Sequence, residues 1–248
     1  MKFDTKAFIA FITAGDPDIE TTKKLIYAIQ RGGADLIEIG IPFSDPVAEG
    51  VTIQDASMRA LATGTTTDKI FDMLEEIEVT IPIALMTYIN PIFTYGVAKF
   101  MSRCKKAGVS SIIVPDLPFE EKSEIYDDCN KYGIKLISLI APTSEKRLQK
   151  IVTEAEGFLY CVSSLGVTGV RSNINSKISE LILQARQYSD IPCMIGFGIS
   201  TPEQAKSMAD ISDGVIVGSA IVKIVEKYGV DSCEHVENYV RTMKNAII

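Results

Sequence analysis

Asp35-Leu36-Ile37-Glu38-Ile39-Gly40 reads as a short strand, and the ten residues behind it, Ile41-Pro42-Phe43-Ser44-Asp45-Pro46-Val47-Ala48-Glu49-Gly50, as the loop it delivers. After Asp35, and apart from Glu38, the strand is apolar on both faces. That is the pattern of a parallel strand covered on both sides, not of a half-exposed antiparallel one. The loop exceeds the two to six residues usual between a strand and the next helix, and long loops at such places tend to carry function. Similar apolar runs recur on either side, at 7–13, 82–86, 111–115, 135–140, 158–162, 192–197 and 213–218. A helical pattern fills each gap, so the chain reads as repeated βα units. Two helix starts stand out: Ser144-Glu145-Lys146-Arg147, and Thr201-Pro202-Glu203 with proline at the first helical position. Eight units in 248 residues predict a single α/β domain over 1–248, a (β/α)8 TIM barrel, with an open doubly wound sheet as the alternative.

With 46% apolar residues the chain has enough to bury a large core, and its net charge of −7 leaves no broad basic field for a nucleic-acid backbone. A local phosphate site remains compatible with that charge. No apolar stretch approaches the roughly 18 residues of a membrane span, and the N-terminus lacks a signal-peptide pattern. Five cysteines without a CxxC pair fit reduced thiols, so a cytoplasmic location is expected. His235 is the one histidine and falls in a late amphipathic helix, where a surface or packing role is expected. A histidine-rich metal site or a Ser-His-Asp triad would have to rest on it, and no metal is predicted.

In a barrel the chemistry sits at the C-terminal strand ends. Alternation along the strand turns Glu38 into the barrel mouth if Ile37 and Ile39 face the helices. Burial raises a carboxyl pKa and keeps the group available for proton transfer near neutral pH. The structural alternative is a buried ion pair. Asp45, between serine and proline, reads equally as a turn holder, and Glu49, before glycine, as a solvated loop acid. Glycines after the last three strands, Gly166 and Gly169, Gly196 and Gly198, and Gly218 beside Ser219, let backbone N–H groups approach an anion. Loops after the seventh and eighth strands recur as phosphate sites in this architecture, although glycines also serve as plain turns.

Taken in order, LIEIGIPFSDPVAEGVTIQ (36–54), PDLPFEE (115–121), LGVTGVR (165–171), GFGIS (196–200) and GSAIVKI (218–224) closely resemble the tryptophan synthase α chain family. The match runs from Phe11 to the C-terminus. The resemblance implies a carbon-carbon lyase that cleaves indole-3-glycerol phosphate to indole and glyceraldehyde 3-phosphate. Indole would pass to a β subunit in an αββα assembly. It implies no cofactor, because protonated indole accepts the electrons of the breaking bond. It makes Glu38 and Glu49 the catalytic acids and places Thr168 in a loop that closes over the site. Gly169, Gly198, Gly218 and Ser219 would contact the phosphate. Phe11, Tyr88, Tyr160 and Phe197 match the indole pocket; aromatics at strand ends otherwise read as core. Asp45 and the Asn90-Pro91 turn match surfaces facing the β subunit.

Two departures accompany the match. The family pattern at the second acid is Ala-Asp-Gly-Pro, where this chain has Ala48-Glu49-Gly50-Val51. The family's helix before the first strand is short or missing, which touches stability more than chemistry. The longer acid gives weight to a rival reading, a non-catalytic phosphate-ligand-binding subunit that activates a β partner. A stand-alone lyase releasing free indole and another phosphate-sugar barrel enzyme are the remaining alternatives.

Overall fold

The computed structural model describes residues 2–162, 171–196 and 198–248. Among these, the apolar runs form β1 (Ala7–Thr13), β2 (Leu36–Gly40), β3 (Ile83–Met86), β4 (Val109–Ile113), β5 (Lys135–Ile140), β6 (Leu159–Val162), β7 (Cys193–Gly196) and β8 (Gly214–Val217). Each strand pairs in parallel with the next, and β8 returns to β1. Closure decides between the two architectures: the sheet is a barrel and has no edge strands to protect.

The helices lie outside the strands: α1 (Ile19–Arg31), α2 (Val51–Ala62), α3 (Thr67–Glu76), α4 (Ile89–Tyr95), α5 (Val97–Lys106) and α6 (Ser123–Tyr132). They continue with α7 (Leu148–Thr153), α8 (Arg171–Ala185), α9 (Pro202–Ala209), α10 (Ser219–Tyr228) and α11 (Ser232–Asn245). Strand alternation divides the core in two. Ala7, Ile9, Leu36, Ile113, Phe158 and Met194 fill the barrel, while Phe8, Ile12, Ile37, Ile39, Leu159 and Ile195 pack under the helices. Each such aliphatic side chain contributes about 1.5–3 kcal/mol of burial free energy. Because Ile37 and Ile39 are held by the helix layer, Glu38 has no direction left but inward.

Local chemistry moves two boundaries. The fourth strand begins and ends two residues before the apolar run at 111–115. Val109 pairs with Ile83 across a register shift, Ser110 Oγ donates to the Ile83 carbonyl at 2.8 Å, and Pro115 lacks the N–H a longer ladder needs. The helix expected to open at Ser144 starts instead at Leu148. Residues Pro142–Arg147 form 3-10 turns, with Ser144 Oγ accepting from the Ala141 N–H at 3.1 Å. The start at Thr201 is as the sequence implies: Thr201 and Gln204 form a reciprocal capping box with Pro202 just inside.

No helix occupies residues 2–6. Phe3 packs instead against the inward-facing cluster, and α11 returns to the bottom of the barrel with Lys244. The Lys244 ammonium donates to Asp35 at 2.8 Å, the Lys6 carbonyl at 2.7 Å and Thr5 Oγ1 at 3.2 Å, with its side chain only 9% exposed. Removing one partner of a largely buried pair strands the other charge. Lys244→Met is therefore expected to lower stability by about 2 kcal/mol, read as a lower urea midpoint at unchanged slope.

Candidate active site

The long loop after β2 and the turns after β7 and β8 border one cleft of about 620 Å³ at the C-terminal end of the barrel. Its floor comes from the strands. Phe11 on β1 lies opposite Glu38 on β2 in register, and Met86, Tyr160 and Ile216 come from β3, β6 and β8. Two glycines make room for the rings. A side chain at Gly40 would meet the Phe11 ring at 2.7 Å, and one at Gly196 would meet the Tyr160 ring at 2.5 Å. Each aromatic ring thus occupies the space a Cβ would take on the neighbouring strand.

Glu38 is 1% exposed, and neither of its carboxylate oxygens has a hydrogen-bond partner among the described residues. The structural ion pair weighed from the sequence is absent among them. Burial, and then the negative charge of Glu49, push the Glu38 carboxyl up to about 8. Buried polar groups in folded proteins are nearly always paired, so an orphan carboxyl facing a cleft points to a ligand or a proton-transfer role.

Glu49 lines the same cleft from the loop before α2, with its carbonyl accepting from Gln54 Nε2 at 2.8 Å. Its carboxylate accepts the hydroxyl proton of Tyr88, and that oxygen in turn accepts from the Val47 N–H at 3.2 Å and the Ala48 N–H at 3.0 Å. Burial raises the Glu49 carboxyl and the Tyr88 hydrogen bond opposes the rise. The family resemblance assigns Tyr88 to the indole pocket. It is fully buried behind Glu49, outside the cleft lining, with the Phe43 ring centred 5.3 Å from its own. The Tyr88 hydroxyl thus holds the carboxylate end of this longer acid.

Gly198, Gly218 and Ser219 line the same cleft, where α10 begins with no side-chain cap and no acid in its first turn. Thr168, Gly169 and Phe197 lie outside the described residues. Asp45 is exposed on the loop and accepts from Ser44 Oγ at 2.5 Å. Asn90 and Pro91, read as a turn, stand in the first turn of α4, where the missing proline N–H costs no helical bond. His235 stacks on Tyr228 with ring centroids 3.6 Å apart, an exposed packing role as expected.

Sequence reasoning passed over several cleft residues. Met86 and Ile216 follow from the same strand-end rule as Glu38. Lys223 follows from its place one turn after Ser219. Tyr239 had no local signal, because α11 brings it to the site from the end of the chain, where its hydroxyl donates to the Ser200 carbonyl at 2.9 Å.

Comparison with known proteins agrees with this geometry. A family described as "Tryptophan synthase alpha chain" matches residues 1–247. The tryptophan synthase alpha chain of Lacticaseibacillus casei is 46% identical over 244 residues, covering 98% of this chain and 92% of that one. The Methanocaldococcus jannaschii protein of the same name is 49% identical over 227 residues, covering 90% and 80%. A chain from the Pyrococcus furiosus tryptophan synthase a2b2 complex superposes with a TM-score of 0.90 at 36% identity, covering 98% of this chain and all of that one. Tryptophan synthase subunit alpha of Legionella pneumophila gives 0.88 at 38% identity, covering 98% and 92%. The chain belongs to the tryptophan synthase alpha chain family.

Proposed function

We propose that the cleft carries out the family's lyase reaction, the retro-aldol cleavage of indole-3-glycerol phosphate to indole and glyceraldehyde 3-phosphate in tryptophan biosynthesis. The observation that carries this reading is Glu38, a carboxyl buried at the cleft floor, raised to about 8 and without a hydrogen-bond partner among the described residues. At neutral pH it holds a proton. It gives that proton to C3 of the indole ring, and the ring nitrogen takes up positive charge. Glu49, on the wall of the same cleft, holds the ring N–H and stabilises that charge. The Glu38 carboxylate then removes the proton of the glycerol hydroxyl next to the ring. The carbonyl forms, the carbon-carbon bond breaks, and its electron pair returns to the ring as neutral indole. Glu38 ends protonated, as it began. The substrate serves as electron sink, so the chemistry asks for no cofactor or metal.

Phe11 and Tyr160 flank the position of the ring. Gly198, Gly218 and Ser219 offer backbone N–H groups at the uncapped start of α10 to the phosphate. Thr168, Gly169 and Phe197 complete these surfaces by family correspondence. The rival reading, a phosphate-binding subunit without turnover, drew on the longer acid at position 49; Glu49 lining the cleft beside Glu38 supports the catalytic one.

A β subunit is the proposed partner. Val47, Val51 and Phe93 are 77%, 70% and 47% exposed, and they lie close in sequence to Asp45 and Asn90-Pro91 on loop and helix segments that Tyr88 ties together. An apolar patch with a polar rim is the usual form of a protein interface. We read 1–248 as one barrel domain within an αββα assembly. A cytoplasmic location fits the free cysteines, and among the described residues no helix is long and apolar enough to cross a membrane.

The pH profile tests the role of Glu38. The free enzyme needs the protonated carboxyl, so kcat/KM is expected to fall about tenfold per unit above a pH of about 8. An alkaline limb near the ordinary carboxyl value of 4.5, or none up to pH 10, contradicts the assignment.

A further inference from the structure

We infer that Lys223 is the counter-ion of the substrate phosphate and sets the preference of the site for a doubly charged phosphate ester. This rests on the phosphate subsite proposed above at the start of α10. Three observations carry it.

Lys223 is the one cation among the described residues that line the cleft, whose acids are Glu49 and Glu38, the latter protonated at neutral pH. Even with Glu38 protonated, an anionic substrate entering a cleft that holds Glu49, on a chain of net charge −7, meets repulsion unless a positive charge is placed near its own.

Lys223 also stands one turn after Ser219, on the same face of α10. Helical side chains lean toward the N-terminus, so the lysine stem climbs along the helix to the level of the first turn. There it adds a mobile charge to the fixed N–H dipoles. A cation beside a helix N-terminus opposes the macrodipole, an arrangement that becomes favourable when an anion lies between them.

Finally, no ion pair engages Lys223 among the described residues. The acid three positions along, Glu226, is instead held by Arg59 of α2 at 3.3 Å. The ammonium is exposed and available. Unlike the backbone groups, it discriminates by charge and not by shape, which separates phosphate esters from neutral or singly charged analogues of the same outline.

The experiment is calorimetric titration of the full chain with glycerol 3-phosphate and, separately, with indole, for wild type, Lys223→Met and Lys223→Arg at low and high salt. For Lys223→Met we expect about tenfold weaker glycerol 3-phosphate binding and a flatter salt dependence, as for loss of one charge-assisted contact. Indole affinity should stay as in wild type, and Lys223→Arg should recover most of the loss. In turnover the loss should fall on KM, with kcat within twofold. Because Lys223 is exposed, all three proteins are expected to melt together. Wild-type binding of glycerol 3-phosphate matched by Lys223→Met overturns the inference and leaves the phosphate subsite standing. Wild type that binds no glycerol 3-phosphate at all overturns both.

Discussion

Glu38→Gln is expected to lower kcat by at least about a thousandfold while leaving affinity for phosphorylated ligands intact. One group performs both proton transfers in the proposed reaction, and general acid-base catalysis by a positioned side chain is worth about 10² to 10⁴. Glutamine keeps the volume and polarity of the buried site but cannot exchange the proton. The same substitution has a second readout that excludes misfolding as the cause. The folded-state carboxyl lies at about 8, above its ordinary 4.5, so the native protein holds a proton that the unfolded chain has released between those values. Wild-type stability therefore declines as pH rises from 4.5 to about 8 and levels off beyond it. Glu38→Gln lacks that decline. Its melting curve should pull ahead of wild type across this window, by an amount on the order of a few kcal/mol at the alkaline end. An inactive variant that is more stable at pH 8.5 than its parent identifies a catalytic acid. A variant that retains a tenth of the parent kcat contradicts the mechanism.

Glu49→Ala is expected to lower kcat by about 10² to 10³, the usual loss when a preorganised group facing developing charge is removed. Glu49→Asp keeps the carboxylate and should stay within about tenfold of wild type. The shorter acid gives up the Tyr88 hydroxyl and gains the reach of the family's aspartate toward the ring nitrogen. Steady-state indole formation by the three proteins decides the matter. Unchanged activity in Glu49→Ala removes Glu49 from the mechanism. The ordering wild type near Glu49→Asp and both far above Glu49→Ala places the charge, and not the chain length, at the centre of its role.

Much of this was legible in the sequence because a parallel barrel writes both of its faces into each strand. Leu36-Ile37-Glu38-Ile39-Gly40 announces a doubly covered strand with one acid turned inward, and the structure places Glu38 there. Gly198, Gly218 and Ser219 follow from strand ends in the same way, whereas Phe11 and Tyr160 come from the family resemblance alone; all five line the cleft. What was not legible depends on contacts between distant segments. Periodicity gave no warning that Ser110 would extend the fourth strand by bonding to Ile83, or that Ser144 would hold 3-10 turns in place of a cap. That the Tyr88 hydroxyl reaches Glu49, 39 residues earlier in the chain, is set by the fold alone. Tyr239 and Lys244 owe their places to α11, which packs against α1 and α10 at the end of the chain.

The central claim is that this cleft breaks a carbon-carbon bond. Purified chain incubated with indole-3-glycerol phosphate, with and without a tryptophan synthase β subunit, tests it directly when indole and glyceraldehyde 3-phosphate are both quantified. The account predicts equimolar release of the two products by the chain alone and a faster rate with the partner present. Saturable binding of the substrate with no indole formed under either condition would contradict it and leave a phosphate-binding subunit in its place.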